Sequence, residues 1–152
     1  LAGGVGQNPT RDNPKHCAEV LNQIDPENPR FWDSDAPITS GNNGRGFLWA
    51  DYRVNFSGFH TILPPNSEIC GINNPGNTMT ASASSRHQGG VHLLMSDGAV
   101  VFMTDSVEAG DPRAPNVWLN GPKPPGSPSP YGLWGSLGTR AGGEVIDMKL
   151  NQ

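Results

Sequence analysis

Charge is scarce in this chain. Only 16% of its 152 residues are Asp, Glu, Lys or Arg, and the formal net charge is −4. The ten basic residues form no stripe or cluster. That argues against binding to a nucleic-acid backbone and against docking on an anionic membrane. Cysteine is scarce too. Cys17 and Cys70 stand alone and far apart, so zinc and dithiol-redox readings have no Cys-x-x-Cys motif to rest on. No stretch approaches the ~20 apolar residues of a membrane-spanning helix. No Gly-x-Ser-x-Gly elbow marks a hydrolase nucleophile. Hydrophobic residues make up 34% of the chain, which leaves material for a small core only.

Glycine and proline are abundant instead, 20 and 15 residues respectively. There is no repeat or homopolymer run, so a single ordered, loop-rich domain over residues 1–152 is expected. Residues 15–23 place Cys17, Val20 and Leu21 at helical spacing ahead of Asp25-Pro26. A strand is expected near 47–50, an irregular segment near 59–63, and an extended turn at Pro64-Pro65-Asn66. Residues 71–85 read as a polar loop. Asp105 to Glu108 suggest a capped turn, and 143–150 an edge strand or tail. Residues 110–132 carry seven prolines and read as a loop insertion. So long a loop has few hydrogen bonds of its own. It is expected to be ordered by another chain or by an N-terminal half, with Trp118 and Tyr131 as interface anchors.

The most informative segment runs from Ser85 to Met103. Asp97-Gly98 lies between two apolar runs, which is a strong hairpin signal. With a two-residue loop, strands at 91–96 and 99–104 pair antiparallel, and Leu93 faces Phe102. Val91, Leu93, Met95, Val100 and Phe102 would then share one face, and His92, Leu94, Val101 and Met103 the other. Both faces are apolar, so cover is expected on both sides. Gly89-Gly90 lets another backbone approach closely. His87 sits where a polar loop meets the strand, where a neutral imidazole can satisfy loop backbone groups.

Chemistry can be sought among the same residues. Ser85, His87 and Asp97 are the types of a hydrolytic triad. However, His87 and Asp97 would stand roughly 30 Å apart on an extended strand. His87 and His92 differ by an odd number and would face opposite ways, which weakens a metal pair. Asp97 reads as a turn residue. Asp97 and Asp105 are the other candidate ligands, and carboxylates with loop carbonyls suit calcium better than zinc; the chain lacks a dense acidic loop, Asp33 and Asp35 being the closest pair, so no metal is expected, with calcium as the alternative. No catalytic group, metal or cofactor is therefore assigned. Arg86 and Arg140 are expected to be solvated or paired with Asp51, Asp97 or Glu144. The aromatics Trp32, Trp49, Tyr52, Trp118, Tyr131 and Trp134 read as core and interface anchors, with a sugar-binding platform as the alternative. Asn55-Phe56-Ser57 matches a glycosylation sequon.

Three ordered blocks carry a resemblance. Nine residues separate His87 from Asp97-Gly98. Trp49-Ala50-Asp51 precedes Phe59-His60-Thr61-Ile62-Leu63-Pro64-Pro65-Asn66-Ser67 and Cys70. Leu137-Gly138-Thr139-Arg140-Ala141-Gly142-Gly143-Glu144 comes near the end. Together they resemble the planctomycete-type prepilin-like family of unknown function, marked by a His-x(9)-Asp-Gly motif. The resemblance implies a mainly-β or α+β, pilin-like or pseudopilin-like head built on an antiparallel hairpin. It also implies that the family's apolar N-terminal helix lies outside this stretch, which would be the C-terminal portion of a longer protein. Export to the periplasm or cell surface follows from the resemblance. In that setting Cys17 and Cys70 are expected to form a disulfide, two buried free thiols being the alternative. Related pseudopilins carry a calcium-binding loop, which keeps calcium as the alternative although this chain has no dense acidic loop. The expected role is non-enzymatic and structural, through self-assembly or a protein partner. The alternatives are a secreted polysaccharide-binding module and an accessory subunit of a larger complex.

Overall fold

The computed structural model describes residues 2–3, 9–29, 31–38, 41–71, 78–140 and 142–146. Along the chain come β1 (Ala2–Gly3), α1 (Pro9–Asp12), a π-helical turn (His16–Val20) and a 3-10 turn (Gly41–Asn43). Then follow β2 (Cys70–Gly71), β3 (Met79–Thr80), β4 (Gly90–Leu94), β5 (Val100–Thr104) and α2 (Gly132–Leu137). Irregular backbone dominates, as the glycine and proline content implies. The architecture is mainly β with short helical turns.

The elements gather around two small cores. In the first, β2 pairs parallel with β1 and antiparallel with β3. Here Cys17 and Cys70 form a disulfide, with Cα atoms 5.9 Å apart. Both cysteines are fully buried, and Trp32 packs against them. Lys15 reaches across to Glu68 at 3.0 Å, beside the bond. The helix expected over 15–23 thus shrinks to one wide turn that carries Cys17 inward.

The second core joins Ala83, Val91, Met103 and the fully buried Trp134 of α2. The Trp134 indole N–H donates to Leu63 O at 2.7 Å, which satisfies its one polar atom. Glu108 fixes α2 from outside. Its carboxylate accepts the Leu133 N–H at 2.7 Å, and its carbonyl accepts that of Trp134 at 2.9 Å.

The hairpin forms as expected but with a different loop. The Gly98 N–H donates to Met95 O at 3.0 Å, and the Met95 N–H to Ala99 O at 2.8 Å. Gly98 has φ 89°, and the Asp97 carboxylate accepts the Ala99 N–H at 2.9 Å. The loop is therefore Ser96-Asp97-Gly98, a type I turn closed by a left-handed glycine. A two-residue loop would need positive φ at Asp97 as well. The observed turn needs it only at glycine and lets the aspartate cap the turn.

One added loop residue shifts the register. His92 now faces Phe102, and Leu94 faces Val100. The sides re-sort, because neighbouring strand positions point to opposite faces. Val91, Leu93, Val101 and Met103 turn inward. Leu94, Val100 and Phe102 turn outward and are 76%, 65% and 42% exposed. The strand expected near 47–50 is a run of turns. Gly46 has φ 77°, and Asp51 N–H folds back to Leu48 O at 3.0 Å. Residues 105–108 turn without becoming helical. Residues 142–146 form no strand, and 147–150 lie outside the described residues.

Candidate functional site

The Ser85–Gly98 motif builds a structural corner, and Asn66 is its centre. Two prolines deliver Asn66 into the left-handed region, φ 59°, which asparagine tolerates better than most residues. Its amide N–H₂ donates to Asp105 at 2.7 Å, and its side-chain oxygen accepts the Ser85 N–H at 2.8 Å. Its own N–H donates to Ala83 O at 2.8 Å. One side chain thus ties the loop before β4 to the turn after β5. This is the role expected of His87. The sequence signal was present in Pro64-Pro65-Asn66, a turn whose last residue has a versatile amide.

His87 itself is exposed. Its backbone N–H donates to Ser85 Oγ at 3.0 Å, so the serine hydroxyl serves the backbone rather than the imidazole. Asp97 caps its own turn at the far end of β4. Ser85, His87 and Asp97 are not assembled into a triad. The His87 and His92 rings do meet, edge to face at 5.9 Å, and His92 lies 5.0 Å from Phe102. An odd separation of five puts the two histidines on opposite faces of a regular strand, and that expectation is not met. It fails because β4 starts at Gly90, after a turn at Gly89 with φ 83°. At Gly90 a Cβ would collide with Met103 O, so the close approach expected there is real. Among the described residues no three His, Cys, Asp or Glu side chains converge as a metal site.

The C-terminal block serves the same framework. Glu144 accepts the Ser129 N–H and the Thr139 hydroxyl, each at 2.8 Å. These bonds, the Ser129 amide first, hold its carboxyl below the usual range. Asp51 is held to about 2, chiefly by its bond from the Arg53 side chain, a contact of 2.6 Å. With Asp51, Asp97 and Glu144 so engaged, none of them pairs with Arg86 or Arg140, and both arginines are exposed.

The Pro-rich loop is anchored to its own chain. Asn116 N–H donates to Arg11 O at 2.9 Å, and Arg113 pairs with Glu19 at 2.6 Å. The Arg11 guanidinium lies 4.2 Å over the Trp118 ring. Tyr131 is buried, and its hydroxyl donates to Ala114 O at 2.9 Å and also contacts Asn116. Burial pushes the phenol well above its ordinary pKa. Residues 11–19 and 144 of the same chain thus hold the loop at several points.

A cleft of about 890 Å³ opens between β4, the 59–62 segment, α2 and the Pro-rich loop. Phe59, Ile62, Met79, Leu93 and Trp134 give it apolar walls, and among the described residues Arg140 is the only charged one on them. His60 also lines it, with Nδ1 buried and without a hydrogen-bond partner. Burial, and then the charge of Arg45, holds its imidazole below the ordinary value, so it is neutral near pH 7. No sequence pattern pointed to His60. Its position depends on the close seating of Gly138 on Thr61, where a Cβ would collide with the threonine hydroxyl. Size and apolar lining are those of a ligand pocket.

The family model described as "Protein of unknown function (DUF1559)" matches residues 4–110. The chain belongs to that family. The DUF1559 match spans the Trp49-Ala50-Asp51 block, the Asn66 corner and the whole hairpin. Arg140 and Glu144 lie beyond the matched residues. No curated protein and no solved structure matches the chain. Among the described residues of this DUF1559 chain, no helix is long and apolar enough to cross a membrane. The buried disulfide is the thiol state that persists in an oxidising compartment.

Proposed function

We propose that this chain is a non-catalytic building block of an exported assembly, pilin-like or pseudopilin-like in its role. The outward face of the hairpin carries the proposal. Leu94 and Val100 face each other across the ribbon at 76% and 65% exposure, with Phe102 beside them. A contiguous apolar patch on a slightly charged surface is characteristic of association. The resemblance to prepilin-like heads supports the same reading, and the disulfide suits an extracytoplasmic setting. Ser85 and Asp97 each accept a backbone N–H of their own turn and stand apart from any assembled triad with His87. Cross-linking in the source cell tests the proposal. A cysteine placed at Val100 should trap a ladder of this chain or one discrete partner. Esterase, peptidase and glycosidase screens should show no turnover. Turnover lost in His87→Ala at unchanged Tm would replace the proposal with an enzyme.

A second reading, glycan binding, has its own observation. Trp49 and Tyr52 are 83% and 94% exposed on the turn-rich segment after Gly46, away from either core. Exposed rings of this kind can stack on sugar faces. A glycan array with the W49A/Y52A variant separates the two readings, since only a binding module loses array signal.

A further inference from the structure

Leu93, Leu94, Met95 and Ser96 all line the cleft. Of these only Leu93 and Leu94 belong to β4, Leu93 inward and Leu94 outward, so the cavity reaches the strand edge at its loop end, with Met95 and Ser96 continuing the rim. The hydrogen-bond pattern identifies which groups lie there. Met95 bonds to Ala99, and Asp105 N–H bonds to Gly89 O. With the observed register, Leu93 and Val91 then belong to the bonded pairs. Leu94 and His92 belong to the other set, whose N–H and C=O point away from β5. Neither makes a backbone bond to another described residue on that side, and the sheet has two strands. An open strand edge therefore borders an apolar cleft, with one cation at its wall. Gly138 seats against Thr61, which brings the Thr139–Arg140 segment to the His60–Thr61 wall.

We infer that this cleft binds an extended peptide segment of a protein partner as an added strand on β4. Backbone groups of the peptide would pair with Leu94 and His92, and aliphatic side chains at alternate positions would enter the apolar walls. A carboxylate on the peptide would meet Arg140. Charge complementarity selects an acidic peptide, because Arg140 is exposed and is the only charged side chain among the described lining residues, while the neighbouring Glu144 carboxylate is taken up by the Ser129 N–H and the Thr139 hydroxyl. The inference goes beyond the assembly proposal and uses the edge of the hairpin rather than its outward face.

The probe is a synthetic heptapeptide of alternating valine and threonine ending in aspartate, together with its reversed sequence. Amide exchange in the full chain is followed by NMR. One orientation should bind saturably and slow exchange at Leu94 and His92 by about tenfold or more. Arg140→Gln should weaken binding roughly tenfold, the size of one charge-assisted contact. N-methylation of alternate peptide residues should abolish binding in one phase and spare it in the other. Binding with no slowing at Leu94, or binding indifferent to Arg140→Gln, overturns the inference. So does failure of both orientations to bind at millimolar concentration. Slowing at Leu94 and His92 as the chain alone is concentrated, persisting in a Val100→Glu variant that blocks the outward face, also overturns it and makes the occupant a second copy at the strand edge.

Discussion

The two faces of one hairpin have nearly the same composition and opposite surroundings. Inside, Val91 and Met103 are 3% and 5% exposed against Trp134. Outside, Leu94 and Val100 lie mostly in solvent. Apolar composition alone does not say which face makes the core. The loop decides it, because one extra residue moves every pairing by one position and exchanges partners across the ribbon. The inward face stabilises this fold. The outward face stays in solvent, which is what the assembly proposal rests on.

The contrast can be broken most severely from beneath the fold. Cys17 and Cys70 close a sequence separation of 53 residues, so replacing both with alanine should cost about 4 kcal/mol in the chain-entropy picture. Denaturant titration of the oxidised wild type against the double variant measures it. Two cysteines that alkylate freely in the native protein would remove the bond from the account.

Next in size is the direct comparison of faces. Met103→Ala should cost roughly 3 kcal/mol, since it removes buried volume beside Trp134. Val100→Ala should cost less than about 0.5 kcal/mol. Chemical denaturation of both variants reads the difference, and equal losses would mean that both faces are covered. Gly98→Val follows at roughly 2 kcal/mol. Its cost is backbone strain at positive φ, because no atom lies within 4 Å of the added Cβ.

The smallest expected effect is on pH dependence. His60 has a folded pKa below its ordinary 6.5, set by burial and then by Arg45. The unfolded chain therefore binds more protons than the folded one as pH falls through 6.5, and stability declines there. His60→Gln should flatten the Tm profile between roughly pH 7 and 5. Asp51 and Glu144 have lowered pKa values instead, so their contribution is lost only at more acid pH, within and below the carboxylate range.

Local chemistry made much of the fold legible in sequence. Asp97-Gly98 marked the reversal, and the apolar runs marked both strands. The even cysteine count, together with the family resemblance, gave the disulfide. The face assignment was not legible, because a two-residue and a three-residue loop both satisfy Asp-Gly. Similarly, a weak alternation over 46–54 suggests a strand near 47–50, where no strand of the described residues offers a partner. The cleft depends on His60, Thr61, Gly138 and Arg140 meeting across more than 70 residues, and no local pattern encodes such a meeting. Asn66 was overlooked because its work lies in long-range bonds to Ser85 and Asp105.

The central claim is that the outward face of the hairpin exists to be covered. Sedimentation velocity over a wide concentration range tests it most directly, on the wild type and on a variant combining Leu94→Lys with Val100→Glu. The substituted pair faces itself across the ribbon with opposite charges, which should preserve the hairpin. The account predicts reversible association of the wild type and a monomeric variant with unchanged Tm. A wild type that stays monomeric throughout, sedimenting identically to the variant, would contradict it.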